Sequence, residues 1–187
     1  GGKLDKKKFT LGFLARLIPE KGPLVLLEAL TLLPKNLLEG VNVLIGGDGW
    51  YKQILENYVK NNSLNQRVNF CGWQINPNDF YNQIDCFINP SLYEEGFGLT
   101  ILEAWQHKLP VIASDKGAFT ELIQNSQNGF LFEANNSQKL AEKIQILLID
   151  KNEANKLGCQ GYLTFETNFT QQIMGNAYLQ QFQLLVQ

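Results

Sequence analysis

The sequence predicts an α/β fold in which a parallel sheet carries helices on both faces. Short apolar, β-branched or aromatic runs alternate with longer segments whose apolar residues recur at helical spacing, and this alternation is typical of βαβ units. The chain has 187 residues, 44% of them hydrophobic, which is enough for one domain with a sizeable core. Because the sequence contains no internal repeat and no low-complexity linker, we predict a single domain over residues 1–187.

Six strands are predicted, each from an apolar run bounded by turn residues. Pro110 stands immediately before the fifth run, where a missing backbone amide costs least, and Gly129 precedes the sixth. The predicted strands are residues 10–14, 41–46, 68–71, 86–89, 111–113 and 130–132.

Helices are predicted between these strands and after the last one, from apolar residues that recur every three or four positions. Two of the stripes lie between strands, one helix follows the fourth strand, and two or three helices close the chain, of which two show a stripe. The residues are Leu24, Leu27, Leu30 and Leu33; Ile54, Leu55, Tyr58 and Val59; the segment 99–106; Leu140, Ile144, Leu147 and Leu148; and Ile173, Ala177, Leu179 and Phe182.

Composition excludes several classes of function. The net charge is −2 and the lysines are scattered, so no basic face is available for duplex nucleic acid or anionic lipid. Cys71, Cys86 and Cys159 are widely spaced without a CxxC pair, which favours free thiols in the cytoplasm over disulfides or a zinc site. Residues 1–8 lack the apolar core of a signal peptide, and we expect them to be an internal segment of a longer protein.

The loop after the first strand carries two candidate phosphate ligands. In open parallel sheets, ligands bind beyond the carboxyl ends of the strands. Arg16 and Lys21 lie five residues apart in this loop, and a planar guanidinium with a point charge can neutralise a diphosphate. The alternative is that both cations are simply solvated. The loop lacks GxGxxG, which argues against a standard dinucleotide site.

The loop after the second strand reads Gly46-Gly47-Asp48-Gly49. Glycines allow the backbone to approach a ligand closely, but they also serve sharp turns. Asp48 is also a candidate cap for the helix that follows. The sequence leaves these interpretations open.

The loop after the fourth strand is the most informative. Gly96, Phe97 and Gly98 lead into the helix predicted over 99–106, so their amides and the helix dipole can receive a phosphate. Glu95 precedes the helix and Glu103 lies inside it. Carboxylates beside an anion site suit neutral hydroxyls, such as the diol of a ribose or hexose.

A less specific interpretation of these carboxylates stays open on spacing alone. Glu94 and Glu95 would be solvated, and Glu103 would pair with a nearby lysine.

The segment EGFGLTILEA at residues 95–104 resembles the E-x7-E motif of the retaining glycosyltransferases of family 4, the glycosyl transferases group 1. Glu94 competes with Glu95 for the first position, but only Glu95 has seven residues before Glu103. Further similar blocks occur in the same order along most of the chain, at residues 12–16, 20–22, 46–49, 68–72, 89–91, 110–114 and 128–129.

The resemblance implies the GT-B architecture, in which two Rossmann-like domains face a cleft and the C-terminal one binds the nucleotide-sugar donor. This chain resembles the C-terminal domain alone. The N-terminal domain, which would hold the acceptor, is then absent from residues 1–187.

The resemblance also assigns roles to the site residues. Arg16 and Lys21 would hold the diphosphate, residues 96–98 would offer it backbone amides, Glu95 would bind a sugar hydroxyl, and Glu103 would take the ribose diol. Arg16, Lys21 and Glu95 would be the catalytic residues. Since cations stabilise the leaving diphosphate and the sequence has no DxD motif, we expect neither a metal nor another cofactor.

Two positions depart from the family pattern. Lys108 stands where the family usually has glycine, and Ala118 where a second glycine usually follows Gly117; we expect these changes to affect donor preference. His107, the sole histidine, is interpreted as a helix-end residue and not as a catalytic base.

The resemblance predicts transfer of a hexose, with retention, from a nucleoside diphosphate to the hydroxyl of a glycan or lipid-linked saccharide, in polysaccharide or glycan synthesis. It implies a cytoplasmic protein that can sit peripherally at the inner membrane face, without nucleic-acid partners. The alternatives are a sugar-nucleotide epimerase, a phosphorylase with a pyridoxal cofactor, and a non-catalytic nucleotide-sugar-binding module. The E-x7-E spacing with Gly-Phe-Gly favours transfer, and we expect the isolated chain to bind donor without transferring it.

Overall fold

A computed structural model describes residues 8–169 of the chain. Within them, strands and helices alternate as predicted. The strands are β1 (Phe9–Leu14), β2 (Val41–Gly46), β3 (Val68–Gly72), β4 (Cys86–Asn89), β5 (Val111–Ser114) and β6 (Phe130–Phe132). The α-helices are α1 (Pro23–Thr31), α2 (Lys35–Leu38), α3 (Lys52–Asn61), α4 (Pro77–Tyr81), α5 (Leu99–Gln106), α6 (Ala118–Leu122), α7 (Ser137–Ile149) and α8 (Lys151–Asn168), and a single 3-10 turn covers Pro19–Lys21.

All six predicted strands are present, with bounds that differ by at most one residue. Three short helices, α2, α4 and α6, have only four or five residues, too few to produce a recognisable apolar stripe. The stripe predicted from Ile54 is displaced, because Ile54 is 46% exposed whereas Leu55 and Val59 are buried. The helix predicted at residues 173–182 lies outside the described residues.

The six strands form one parallel sheet in the order β3-β2-β1-β4-β5-β6. The chain moves outward from β1 to β3 on one side and then returns to place β4 on the other side of β1. The helices that follow β1 and β4, α1 and α5, therefore pack on opposite faces of the sheet, and the carboxyl ends of these two strands are the usual ligand position in such sheets.

Helices cover both faces of the sheet, as predicted. Alternate residues of β2 point to opposite faces: Val43 and Ile45 join a core beneath α1, α3 and α7, whereas Leu44 joins a second core beneath α4, α5 and α6. The two cores together fix the sheet, and with it the loops at its carboxyl edge.

The packing of α5 on α8 is unusually close. Trp105 of α5 is fully buried, and its indole lies over Gly161 of α8. A Cβ at position 161 would come within 2.3 Å of the indole Cδ1. Glycine here is required by contact between the helices and not by backbone conformation.

We therefore expect Gly161→Ala to lower the free energy of unfolding by about 1–3 kcal/mol, the usual cost of overfilling a packed core. Without this contact, alanine in place of glycine would favour a helix by up to about 1 kcal/mol. Urea unfolding of Gly161→Ala and of Gln160→Ala measures the difference. The exposed control should change stability by less than about 0.5 kcal/mol, and a more stable Gly161→Ala would contradict the packing argument.

Candidate functional site

The predicted site residues gather at the carboxyl ends of β1 and β4. The loops 15–22 and 90–98 leave these neighbouring strands and border a space that we call the switch crevice. Loop 15–22 carries Arg16 and Lys21, and loop 90–98 carries Glu95. The fold thus brings together residues that are far apart in the sequence.

The two loops are docked directly on one another. The amide of Leu92 donates to the carbonyl of Glu20 at 2.8 Å, and the Ser91 hydroxyl donates to the same carbonyl at 3.3 Å. Gly22 has φ of 68°, and a Cβ there would lie 1.9 Å from the carbonyl oxygen of Pro90. Only glycine satisfies both the left-handed backbone and this close approach.

Docking of the loops places Lys21 against Glu95. The Lys21 ammonium donates to Glu95 Oε1 at 2.5 Å across 74 residues of sequence, and the two side chains are 28% and 21% exposed. The pair is therefore partly shielded, unlike a surface salt bridge between solvated side chains. Glu95 is thus not the freely solvated carboxylate of the alternative interpretation.

The loop after β5 fixes the backbone of Glu95. The amide of Ala118 donates to the Glu95 carbonyl at 2.9 Å. Gly117 lies so close that a Cβ would sit 2.6 Å from the Glu95 backbone. At the end of β5, the buried Ser114 hydroxyl donates to the Ser91 carbonyl at 2.6 Å. Three loops therefore determine where Glu95 stands.

The N-terminus of α5 opens onto the same crevice. Gly98 caps the helix with φ of 64° and without a side-chain bond. The amides of Phe97 and Gly98 donate to no acceptor within residues 8–169, and the Phe97 side chain is 78% exposed. Unpartnered amides at a helix N-terminus provide a place for an anion.

Glu103 lies further along α5 and is held by Tyr81 of α4. The Tyr81 hydroxyl donates to Glu103 Oε2 at 2.8 Å. Burial, and secondarily the negative charge of Glu103, raise the pKa of Tyr81 well above its ordinary value. Glu103 forms no ion pair with a lysine among the described residues, so that alternative is wrong.

Arg16 occupies the crevice loop but does not join the Lys21–Glu95 pair. Its side chain is exposed, and the guanidinium forms no hydrogen bond or ion pair with another residue of the described chain. The adjacent Leu17 anchors the loop, because its amide donates to the Asp48 carbonyl at 2.9 Å and its carbonyl accepts from Tyr51 at 3.1 Å. Arg16 is therefore a free cation on a fixed backbone.

The glycines after β2 are explained by packing. A Cβ at Gly47 would lie 1.8 Å from the Ala15 carbonyl oxygen, and one at Gly49 would lie 2.3 Å from that of Leu17. Asp48 accepts from the amide of Gly49 at 2.8 Å and does not cap α3, whose N-cap is Tyr51. The capping hypothesis for Asp48 is wrong.

The two departures from the family pattern lie at opposite edges of the sheet. Ala118 adjoins Glu95, as described above. Lys108 precedes β5 at the amino edge, with φ of 56°, and its ammonium lies 4.8 Å from the centre of the Tyr162 ring. An effect of Lys108 on donor preference is therefore not supported. His107 ends α5, as predicted.

Lys108 also lines an open cavity of about 540 Å³ at this amino edge, together with Lys8, Asp85 and Lys151. The cavity and the switch crevice lie at opposite edges of the sheet. All six strands are parallel, so their amino ends face the cavity and their carboxyl ends face the crevice. It contains none of the predicted site residues.

One contributor to the site, Tyr81, is absent from the sequence analysis. It ends a helix of only five residues, which is too short to give a periodic signal. Gly117 and Ser91 lie in segments that the sequence analysis singles out, but their contacts depend on distant loops and could not be predicted.

Comparison with known proteins agrees with this geometry. The family model described as glycosyl transferases group 1 matches residues 2–164. The chain belongs to the group 1 glycosyltransferases. One relative, the lipopolysaccharide core biosynthesis glycosyltransferase LpsE of Rhizobium meliloti, is 27% identical over 89% of this chain and 47% of its own length.

Two crystal structures show the same fold in this family. Anabaena HepE, solved in complex with UDP-glucose, is 26% identical, with a TM-score of 0.81 over 91% of this chain and 49% of that one. The C-terminal domain of LpcC, a group 1 family protein of Francisella tularensis, is 29% identical, with a TM-score of 0.80 over 87% of both chains. The predicted fold class, the C-terminal Rossmann-like half of a GT-B glycosyltransferase, is confirmed.

The chain spans about half the length of the curated relatives that it matches. Within residues 8–169, no three side chains of His, Cys, Asp or Glu are grouped as metal ligands. Over the same residues, no helix combines the length and the apolar character needed to cross a bilayer.

The docking of the two crevice loops leads to a testable difference between two glycines. Gly22 and Gly72 have nearly equal φ, 68° and 71°, but a Cβ at position 72 would meet nothing within 4 Å. Both alanine variants should suffer the left-handed backbone penalty of roughly 1–2 kcal/mol. Gly22→Ala should lose roughly a further 1–3 kcal/mol to the clash.

Urea denaturation of the two variants and the parent chain measures this difference. Equal losses in Gly22→Ala and Gly72→Ala would mean that the contact with Pro90 does not constrain the crevice.

Proposed function

We propose that this chain is the donor-binding half of a retaining hexosyltransferase, which transfers the sugar of a nucleoside-diphosphate sugar to an acceptor hydroxyl in polysaccharide or glycan synthesis. The observation that carries the proposal is the meeting of Lys21 and Glu95 beside the free amides of α5. A cation and a carboxylate side by side suit a ligand that contains both phosphate and hydroxyl groups. The UDP-glucose complex of HepE, which has the same fold, supports this assignment.

The diphosphate is the leaving group, and negative charge grows on it as the glycosidic bond lengthens. Arg16, Lys21 and the amides of residues 96–98 surround its proposed position. Lys21 and the amides are held in place before the reaction, so they would stabilise the transition state more than the ground state. In this proposal they do the work that a metal ion does in other transferases, and donor binding is independent of metal.

Lys21 can hold the phosphate without releasing Glu95. An ammonium has three N–H donors, and the ion pair with Glu95 occupies one of them. The pair would thus orient Glu95 toward a sugar hydroxyl while Lys21 faces the diphosphate. Fixed orientation of this kind is a large part of catalysis between two bound substrates.

Glu103 would accept from the ribose diol. It lies four residues after Leu99, the first residue of α5, and therefore about 6 Å along the helix axis from the phosphate position. A nucleotide lying across the helix N-terminus would then place its diphosphate at the amides and its ribose at Glu103.

The acceptor would be a glycan or lipid-linked saccharide held by an N-terminal domain outside these residues. The similarity to the C-terminal domain of LpcC over 87% of both chains supports this division. We place the protein in the cytoplasm, with peripheral contact to the inner membrane face through the complete molecule.

We expect the chain to bind one of UDP, GDP and ADP selectively. At one hundred times its dissociation constant, the preferred nucleotide should add about 2.7 kcal/mol of stability, which for this size raises Tm by roughly 5–10 °C. Glu103→Ala should lose most of that shift, because it removes the acceptor of the ribose diol. A thermal-shift titration measures both.

Glu142→Ala is the matched control, since Glu142 is a surface carboxylate whose one ion pair within residues 8–169 is with Lys139 in the preceding turn. Its shift should equal that of the parent chain. Each titration is repeated with EDTA and with Mn²⁺, and a strict requirement for Mn²⁺ would overturn the metal-free site. Absence of a shift with all three nucleotides would favour a degenerate domain that has lost nucleotide affinity, or a site that needs the other domain to close.

The isolated chain should bind a UDP-sugar or GDP-sugar yet transfer little sugar to an added saccharide, because the groups that orient the acceptor are proposed to lie in the other domain. Release of nucleoside diphosphate in the presence and absence of acceptor measures transfer. Turnover near the usual range of about 1–1000 per second would show that the chain holds both halves of the site.

A further inference from the structure

We propose that Tyr81 is a positioning residue for Glu103, whose hydrogen bond holds the carboxylate ready for a ribose diol and so sets the preference for ribonucleotides. This inference rests on the proposed function, because it takes Glu103 as the group that accepts from the ribose. It adds a residue that the E-x7-E motif does not contain and that comes from a different helix.

The geometry assigns the hydroxyl proton of Tyr81 to Glu103. Oε2 of Glu103 lies 2.8 Å from the hydroxyl, whereas the carbonyl of Thr100 lies 3.3 Å from it. A hydroxyl has one proton to donate, and a bond to a carboxylate is shorter and stronger than one to a neutral carbonyl. The Thr100 contact is therefore secondary.

Tyr81 is itself rigidly held. It is 1% exposed, and its ring meets those of Phe80 and Phe87 edge-on, at centroid distances of 5.8 and 5.5 Å. On another side it stacks on His107 at 5.2 Å. Because the Tyr81 side chain is packed on three sides, its hydroxyl cannot move. The hydrogen bond therefore fixes the position of the Glu103 carboxylate.

His107, which caps α5, contacts both Tyr81 and the backbone of Glu103. His107 Nδ1 lies 2.9 Å from the carbonyl oxygen of Glu103, and the imidazole ring stacks on Tyr81. The Glu103 carboxylate is thus bonded to Tyr81, Tyr81 stacks on His107, and His107 in turn contacts the backbone carbonyl of Glu103.

The hydroxyl is a dependable donor. Burial and the charge of Glu103 both raise the pKa of Tyr81, so the hydroxyl stays protonated at neutral and mildly alkaline pH. An ionised carboxylate has about four acceptor positions, and Tyr81 occupies one of them on Oε2. Oε1 remains free to accept from the diol.

A fixed carboxylate binds a diol more tightly than a mobile one. Glutamate loses rotamer freedom when it binds, at a cost of about 0.5–1.5 kcal/mol for an immobilised flexible side chain. Tyr81 has removed that freedom before the ligand arrives. Loss of the hydroxyl should therefore weaken ribonucleotide binding roughly three- to tenfold.

The test compares ribonucleotides with nucleotides that lack the diol. Calorimetric titration of the parent chain, Tyr81→Phe and Glu103→Ala uses UDP, GDP and ADP and the 2′,3′-dideoxy form of the base that binds most tightly. Tyr81→Phe should bind the ribonucleotide three- to tenfold more weakly and the dideoxynucleotide within twofold of the parent chain. Combined with Glu103→Ala, it should cause no further loss.

Tyr162→Phe is the matched control. The Tyr162 hydroxyl also donates to a glutamate, at 2.9 Å from Glu166 Oε1, but on α8 and beside Lys108 at the opposite edge. It should leave the ratio of ribonucleotide to dideoxynucleotide affinity unchanged. That ratio is measured on one protein sample, so a partly unfolded population of Tyr81→Phe does not alter it.

The outcomes separate the two proposals. If Tyr81→Phe weakens both nucleotides equally, or binds the ribonucleotide as tightly as the parent chain or more tightly, the positioning role is wrong. If no nucleotide binds, or if Glu103→Ala keeps the full preference for ribose, the proposed function of Glu103 fails and the inference fails with it.

Discussion

The contact on which the site depends is the docking of the β1 loop against the β4 loop. Reversal of the strand order makes neighbours of segments about 75 residues apart in sequence, and Gly22 against the Pro90 carbonyl fixes their separation. No flexible side chain lies in this contact that could absorb a change. Backbone packing therefore fixes the separation of the backbone segments that carry Lys21 and Glu95.

The site combines rigid backbone with unsatisfied groups. Loops after four strands are tied to one another by amide–carbonyl bonds, while the guanidinium of Arg16 and the amides of residues 97–98 lack partners within the described chain. The two amides are preorganised donors without partners, which suits the binding of an anion without rearrangement, whereas the Arg16 side chain would be oriented by the ligand. The two apolar cores maintain this condition by holding both faces of the sheet.

The sequence was sufficient for the strands and for the motif residues, but not for the contacts between distant segments. Buried parallel strands are apolar on both faces, so they stand out as short runs, and the resemblance to the family selected Arg16, Lys21, Glu95 and Glu103. Tyr81 could not be found in this way, because α4 has five residues and its partner lies in another helix. Asp48 and Lys108 were misjudged because local spacing does not tell which edge of the sheet, or which neighbouring backbone, a residue will meet.

The Lys21–Glu95 pair has a consequence for which anions the proposed donor site would bind. In the absence of ligand, Glu95 serves as the counter-ion of Lys21, so a small inorganic anion finds that lysine already neutralised and meets an adjacent negative charge as well. In the proposed donor site, a ligand would gain the full interaction only if it brought hydroxyl groups to Glu95 together with phosphate oxygens for Lys21. At that proposed site, the pair would thus discriminate against free phosphate.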